Sequence, residues 1–307
     1  MNLPGLLRVA ALATIWGSGF LLIKVSLRGF TPVQLTFARL ALGALVLAVV
    51  LVVMRLRLPG ERRLWLHLIV AALFANAIPY TLFGVGEQTV ASNLAGAINA
   101  TTPLWTVAFA LLTRGHDRLS PLQWVGLVLG FAGGLLILSP WQADAPPISG
   151  LLACLAASAS YGLSYVYMGR YLTNRGLPPL VLSTGQLIAA SGLLLLATPF
   201  GGLTAPTWRA DAVAALLALG VIGTGVAYVI NYRIISDDGP VLASTVTYLL
   251  PVVAVILGAL VLAEPITLQL AAGVAIVLAG VALTRRKPTD QPAESARPDP
   301  GTAESGS

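Results

Sequence analysis

One arginine, Arg39, is predicted to lie near the middle of an apolar helix. Arg39 lies about eight residues into an apolar run that begins near residue 31, which puts it about 12 Å along a helix. A guanidinium at the centre of a membrane helix costs at least about 2.5 kcal/mol, so it must face protein or water. It could bind a ligand carboxylate through its two-pronged donor geometry, or it could cap backbone carbonyls where helices meet.

Polar and aromatic residues follow one helical face on each of two later segments. The first face consists of residues spaced by four: Asn76, Tyr80 and Gly84. A matching set returns 148 residues later: Thr224, Tyr228 and Tyr232. Two such faces would suit a shared central cavity. Polar side chains also join membrane helices, so each residue is a candidate for substrate contact or for helix packing.

Two further pairs of residues correspond in the same way. Trp16 and Tyr161 each stand in mid-helix beside a glycine, where an aromatic ring could stack on a flat or apolar substrate or simply pack. Asn99 and Thr247 each precede a proline by four residues, and proline frees the carbonyl four residues back. The resulting bends could line a cavity, act as hinges or be fixed.

Catalytic and cofactor chemistry have little support in the sequence. The single cysteine, Cys154, permits neither an internal disulfide nor a cysteine-based metal site. There is no metalloprotease motif, no phosphate loop and no paired mid-membrane acid. Proton carriers commonly use an intramembrane Asp, Glu or His, and none of the 12 acids is predicted in mid-membrane. Either coupling uses Glu87 or Glu264 near span ends, or transport is facilitative.

Composition defines the elements that hold these residues. The 307 residues are 57% hydrophobic and only 10% charged, whereas soluble domains carry about 25% charged residues. The sequence therefore predicts an all-α integral membrane protein in which apolar runs of about 18 or more residues are spans. Ten spans are predicted, at 7–27, 31–53, 64–86, 91–113, 121–138, 148–170, 178–198, 211–234, 239–262 and 267–284.

Charge predicts the orientation of the spans. Cytoplasmic loops near span ends keep positive charge, and placing the N-terminus inside puts fourteen of the 18 Lys and Arg residues in the cytoplasm and three outside. Both termini are then cytoplasmic. Residues 288–307 contain no Leu, Ile, Val or aromatic residue, so they are predicted to be a disordered cytoplasmic tail.

The chain matches itself at shifts of 145 to 148 residues, which indicates a duplication. The pairs include Arg39 with Gln186, Tyr80 with Tyr228 and Pro103 with Pro251. The predicted repeats are residues 1–143 and 144–287, each with five spans. Because five is odd, the second repeat begins on the opposite side of the membrane, and the two halves form the inverted-repeat architecture of secondary transporters. The small-residue series Gly126, Gly130, Gly133, Gly134, Gly273 and Gly280 indicates close helix contact or a homodimer face.

Four segments resemble a known family. The sequences IWGSGFLLIKVSL at 15–27 and TPVQLTFARLALGAL at 31–45 are similar to the first two helices of the drug/metabolite transporter superfamily, EamA type. DRLSPLQWVGLVLGFAGGLLIL at 117–138 and EPITLQLAAGVAIVLAGVALT at 264–284 resemble the ends of its two repeats, with Asp117 in place of the usual Glu. The resemblance implies a ten-helix inner-membrane carrier of small organic metabolites, often an exporter of amino acids or related compounds.

These observations together predict a secondary transporter that exports a small amphipathic metabolite, such as an amino acid, by alternating access. The candidate substrate-binding residues are Trp16, Arg39, Asn76, Tyr80, Asn99, Tyr161, Thr224, Tyr228 and Thr247. The alternatives are facilitative or import carriage of other metabolites or drugs, a non-transporting membrane scaffold, and a membrane enzyme. The expected partners are a small-molecule substrate and the lipid bilayer, with no nucleic acid and no cofactor.

Overall fold

The chain is all-helical in a computed structural model, which describes residues 3–114, 120–138, 146–172, 175–234, 237 and 240–284. No strand occurs within these residues. The predicted tail, residues 288–307, lies outside them.

Ten helical spans account for most of the described residues, which confirms the predicted fold class. We label them α1 to α10: Leu3–Ser26, Pro32–Val53, Arg62–Gly86, Ser92–Thr113, Pro121–Leu138, Ile148–Tyr171, Pro179–Ala197, Ala210–Arg233, Pro240–Leu262 and Leu268–Thr284. The first eight are long and apolar enough to cross a membrane, and the apolar segments of α9 and α10 are shorter, Leu249–Leu262 and Leu268–Thr284.

The start of α2 is fixed by its own sequence. Thr31 is the N-cap residue, and its side chain accepts a hydrogen bond from the Gln34 backbone at 3.3 Å. The Gln34 side chain accepts the Thr31 backbone N–H in return, at 3.0 Å, which completes a capping box. Pro32 occupies the first helical position, where its missing N–H costs nothing. This cap sets the height of Arg39 in the bundle.

Corresponding helices of the two repeats pack on each other. We call helices or residues at the same position of the two repeats mates. Three pairs of mates contact each other: α2 with α7, α4 with α9, and α5 with α10. The contact of α1 with α9 has its counterpart in the contact of α6 with α4. Gly126 of α5 and Gly280 of α10 pack backbone to backbone. The glycine series therefore provides close helix contact within one chain. Homodimerisation, its other predicted role, stays a prediction.

Three spans depart from regular α-helix. In α3, residues Leu73–Ala77 form a π-helical segment, and in α8, residues Ala218–Val226 form another at the corresponding place in the second repeat. The span α4 is interrupted after Asn99 and resumes at Thr102, whereas α9 continues through Pro251. Such π segments inside helices often occur at functional sites, so the interruptions mark the centre of the bundle as a candidate site.

The bundle has two ends, which we call proximal and distal. The proximal end contains the start of α1, where Arg8 forms a salt bridge of 2.9 Å with Asp237. The distal end contains the end of α1, where Arg28 forms a salt bridge of 3.2 Å with Asp211. The predicted orientation makes the proximal end cytoplasmic and the distal end external.

Reporter fusions test this orientation. A fusion after Asp144 should report outside and a fusion after Arg286 should report inside, because five further spans separate the two positions. Alkaline phosphatase and green fluorescent protein activities in cells provide the measurement. If both fusions report the same side, the inverted repeat is excluded.

Candidate functional site

A cavity of about 600 Å³ lies at the centre of the bundle, between the two repeats. Seven of the nine candidate residues line it: Trp16, Arg39, Tyr80, Asn99, Tyr161, Tyr228 and Thr247. Arg39 is the only charged residue among the described lining residues, and no carboxylate lines the cavity there. The cavity therefore combines aromatic surface with one fixed positive charge.

Two contacts hold the Arg39 guanidinium in place. Its Nε donates a hydrogen bond of 3.0 Å to Thr224 Oγ1, and its Cζ lies 3.9 Å from the centroid of the Tyr80 ring. The Thr224 hydroxyl in turn donates to the Leu219 carbonyl at 3.1 Å, so its lone pair is aimed at Arg39. Neither contact uses the two terminal amino groups of Arg39, and no described residue accepts a hydrogen bond from them.

The second repeat contains an equivalent hydrogen bond. Gln186, the mate of Arg39, donates from Nε2 to Asn76 Oδ1 at 2.6 Å, and Asn76 is the mate of Thr224. Asn76 Nδ2 also donates to the Tyr228 hydroxyl at 3.3 Å. The same two positions of each repeat are thus joined across the centre, but only the first repeat contributes a charge.

Two aromatic pairs show the same symmetry. Trp16 meets Tyr228 edge to face with ring centroids 6.3 Å apart. Their mates, Tyr161 and Tyr80, meet edge to face at the same distance. Aromatic pairs prefer this arrangement. The rings therefore form two equivalent walls of the cavity.

Asn76 and Thr224 do not line the cavity, although the sequence pattern places them on its faces. Both are fully buried. Each hydrogen-bonds a residue that lines the cavity: Asn76 bonds Tyr228, and Thr224 bonds Arg39. The physical reason is the π-helical segments that contain them. Hydrogen bonds in a π segment span five residues, so a face drawn with α-helical spacing does not continue through it.

The predicted proline bends differ between the repeats. Asn99 is the last residue of the first part of α4, and its side-chain oxygen accepts a hydrogen bond from Thr102 at 3.3 Å. Thr247, its mate, lies within the continuous helix α9. Both residues line the cavity. The first-repeat bend is therefore a break in the helix, and the second is a proline inside a helix.

Several polar lining residues were not singled out from the sequence. Asn231, Ser164, Ser183, Thr102 and Thr106 also face the cavity. Asn231 lies three residues after Tyr228, and this helical spacing is the signal that could have identified it. Ser and Thr in membrane helices are too common for their type alone to indicate a site.

The cavity is closed at its distal end. Phe20, Ile23 and Phe83 line that end and each is under a tenth exposed, and the rings of Phe20 and Phe83 meet edge to face at 5.3 Å. Toward the proximal end the lining residues Met168 and Asn231 are half-buried. The cavity therefore faces the proximal side.

Comparisons with known proteins agree on one family. The profile described as "EamA-like transporter family" matches residues 3–139 and 148–286. The uncharacterized protein PA1977 of Pseudomonas aeruginosa is 33% identical over 91% of this chain and 93% of its own length. The uncharacterized inner membrane transporter YedA of Escherichia coli is 30% identical over 81% and 79%. A solved crystal structure has the same fold, with a TM-score of 0.63 and 21% identity over 93% of this chain and 97% of its own.

Proposed function

Because the chain belongs to the EamA-like transporter family and is a multi-pass membrane transporter, we propose that it exports a small amphipathic carboxylate, such as an amino acid, by alternating access. The observation that supports this substrate class best is Arg39. It is the single charge among the described residues that line this aromatic-walled cavity, and its terminal amino groups have no described acceptor.

The chemistry of the cavity favours an anionic group such as a carboxylate over a cationic group. The planar guanidinium presents parallel donors that match a carboxylate, and its position over the Tyr80 ring fixes its plane. A cationic drug would meet a like charge with no described acid to offset it. The rings of Trp16, Tyr161 and Tyr228 would contact the apolar part of the substrate.

The symmetry of the site supports alternating access. The two repeats make equivalent contacts across the centre, so exchanging their roles yields a second packing of similar energy in which the distal end opens instead. The π segments in α3 and α8 are the places where these helices would bend. Outward direction is supported by the family resemblance.

Transport by purified protein in proteoliposomes tests this function. A panel of labelled compounds would include an aromatic amino acid, its carboxyl-blocked amide, a nucleoside and a cationic drug. We expect counterflow of the amino acid and much slower counterflow of the amide. Only the free carboxylate can accept two parallel hydrogen bonds from the Arg39 guanidinium. Empty liposomes are the control. Equal rates for the acid and the amide would contradict the substrate class, and no transport of any compound would contradict the function.

A further inference from the structure

A buried acid lies just beyond the closed end of the cavity. Glu87 follows the last residue of α3, one helical turn after Phe83, and it is fully buried. Within the described residues neither of its carboxylate oxygens has a hydrogen-bond partner. Buried charges in proteins are normally paired or hydrogen-bonded, so this carboxyl group has the environment of a neutral acid.

The nearest cation is held by other groups. Lys24 donates from its ammonium to the backbone carbonyl of Glu87 and, at 2.8 Å, to that of Val90. The lysine thus binds the main chain of the turn and not the side chain of Glu87. The ammonium therefore anchors the turn after α3 to α1 and leaves the carboxyl group unpaired.

The neighbouring acid Glu264, at the same end, has hydrogen-bond partners for both of its carboxylate oxygens. Its oxygens accept from the Ser92 backbone at 2.7 Å, the Asn93 backbone at 2.8 Å and the Ser92 hydroxyl at 3.0 Å. These groups form the start of α4, where a negative charge is favoured. Glu264 thus caps the start of α4, and of these two acids only Glu87 lacks hydrogen-bond partners within the part of the chain that the structure describes.

Four charged or titratable groups act on Glu87, and they come from α1, α2, α6 and the segment after α9. Burial raises the pKa of its carboxyl group well above the usual value, Lys24 of α1 opposes this, Glu264 after α9 adds to it, and Arg39 of α2 opposes it. On α6, the fully buried thiol of Cys154 lies beside the turn, next to Gly86. Uptake of a proton is therefore favoured while this end is closed.

We propose that Glu87 is a proton-binding site that keeps the distal end of the carrier closed while it is protonated and favours opening when it loses the proton. The proposal rests on alternating access as the function. Opening the distal end would hydrate Glu87, which then loses the proton to that side. The closed form holds one more proton than the open form, so closure is favoured at low pH and is lost as pH rises. The closed-to-open ratio falls by up to about tenfold per pH unit between the two pKa values.

The only cysteine in the chain is a reporter for this opening. Cys154 is fully buried beside Gly86, so a maleimide should react with it only when the distal end opens. Labelling rates would be measured on purified full-length protein at pH 5.5 and pH 7.5, for the wild type and Glu87→Gln. The ratio of the two rates at each pH removes the intrinsic ionisation that the thiol has in both proteins. A charged Glu87 near the thiol would slow labelling of the wild type, which opposes the expected rise and cannot imitate it.

We expect the ratio of wild-type to variant rate to be larger at pH 7.5 than at pH 5.5, by at least about tenfold and at most about 100-fold, because both pH values lie above the usual pKa of a hydrated glutamate, about 4.3. Asp211→Asn, which neutralises a partly exposed acid at the same end, should behave like the wild type. Glu87→Met is a second neutral variant in case the first does not fold. A ratio that stays within about twofold at both pH values would overturn the proposal. Labelling needs no substrate, so a failed transport assay and a failed gate are distinguished.

Discussion

Arg39→Gln should lower transport of a zwitterionic amino acid by about 10- to 100-fold at matched membrane levels. The charged, two-pronged hydrogen bonds to a carboxylate would be lost, and such bonds contribute about 1.5–3 kcal/mol, where 1.4 kcal/mol corresponds to tenfold. The substitution copies the polar residue of the second repeat, Gln186, which is accommodated at the equivalent position. We therefore expect normal insertion and folding of the variant.

Three comparisons make this experiment specific. Arg39→Lys keeps the positive charge but loses the planar, two-pronged donor group, so it should retain only a small part of the wild-type transport activity. The carboxyl-blocked amide should be moved at similar rates by the wild type and Arg39→Gln. Arg28→Gln, which removes a partly exposed arginine at the distal end, should leave both rates unchanged. If both compounds lose transport equally in Arg39→Gln, Arg39 has an architectural role and does not recognise a carboxylate.

The sequence predicted the fold well because the bilayer restricts what a chain can do. Long apolar runs must become helices where no water can satisfy the backbone, so the predicted spans correspond to the observed ones within a few residues. The repeat could also be predicted, because Arg39 and Gln186, or Tyr80 and Tyr228, keep their spacing. In the structure, corresponding residues of the two repeats make equivalent hydrogen bonds and ring contacts. An alignment of the two halves shows which positions correspond but not which positions touch.

The site could be predicted only in part, for two physical reasons. The first is the π-helical segments, which change the face on which Asn76 and Thr224 lie; nothing in their composition marks them. The second is burial at helix ends. Glu87 stands where a carboxylate could have reached water, yet the start of α6 covers the turn after α3, with Gly150 packed on Thr89 and Val90. Whether a residue at a helix end is buried depends on how helices that are distant in the sequence pack over it. The periodicity of the sequence does not show that packing.

The contact between α5 and α10 should be the least tolerant of added volume in the described bundle. A Cβ atom on Gly280 would lie 2.6 Å from the Gly126 carbonyl oxygen, 2.6 Å from the Gly130 nitrogen and 2.7 Å from the Gly130 Cα atom. All three are backbone atoms, so no side-chain rotation can relieve the clash, and the two helices must separate. Overpacking typically costs about 1–3 kcal/mol, and small residues at such contacts are what allow membrane helices to approach.

Gly280→Ala is therefore expected to lower the thermal unfolding midpoint of the purified protein in detergent by several degrees, measured by the loss of monodisperse protein after heating. Gly169→Ala is the matched control, because a Cβ atom there meets nothing within 4 Å and alanine is the better helix former by about 1 kcal/mol. That variant should unfold at the wild-type temperature or slightly above it. Because α5 and α10 join the ends of the two repeats, Gly280→Ala should also slow transport. An unchanged unfolding midpoint in Gly280→Ala would mean that the two helices are not in backbone contact.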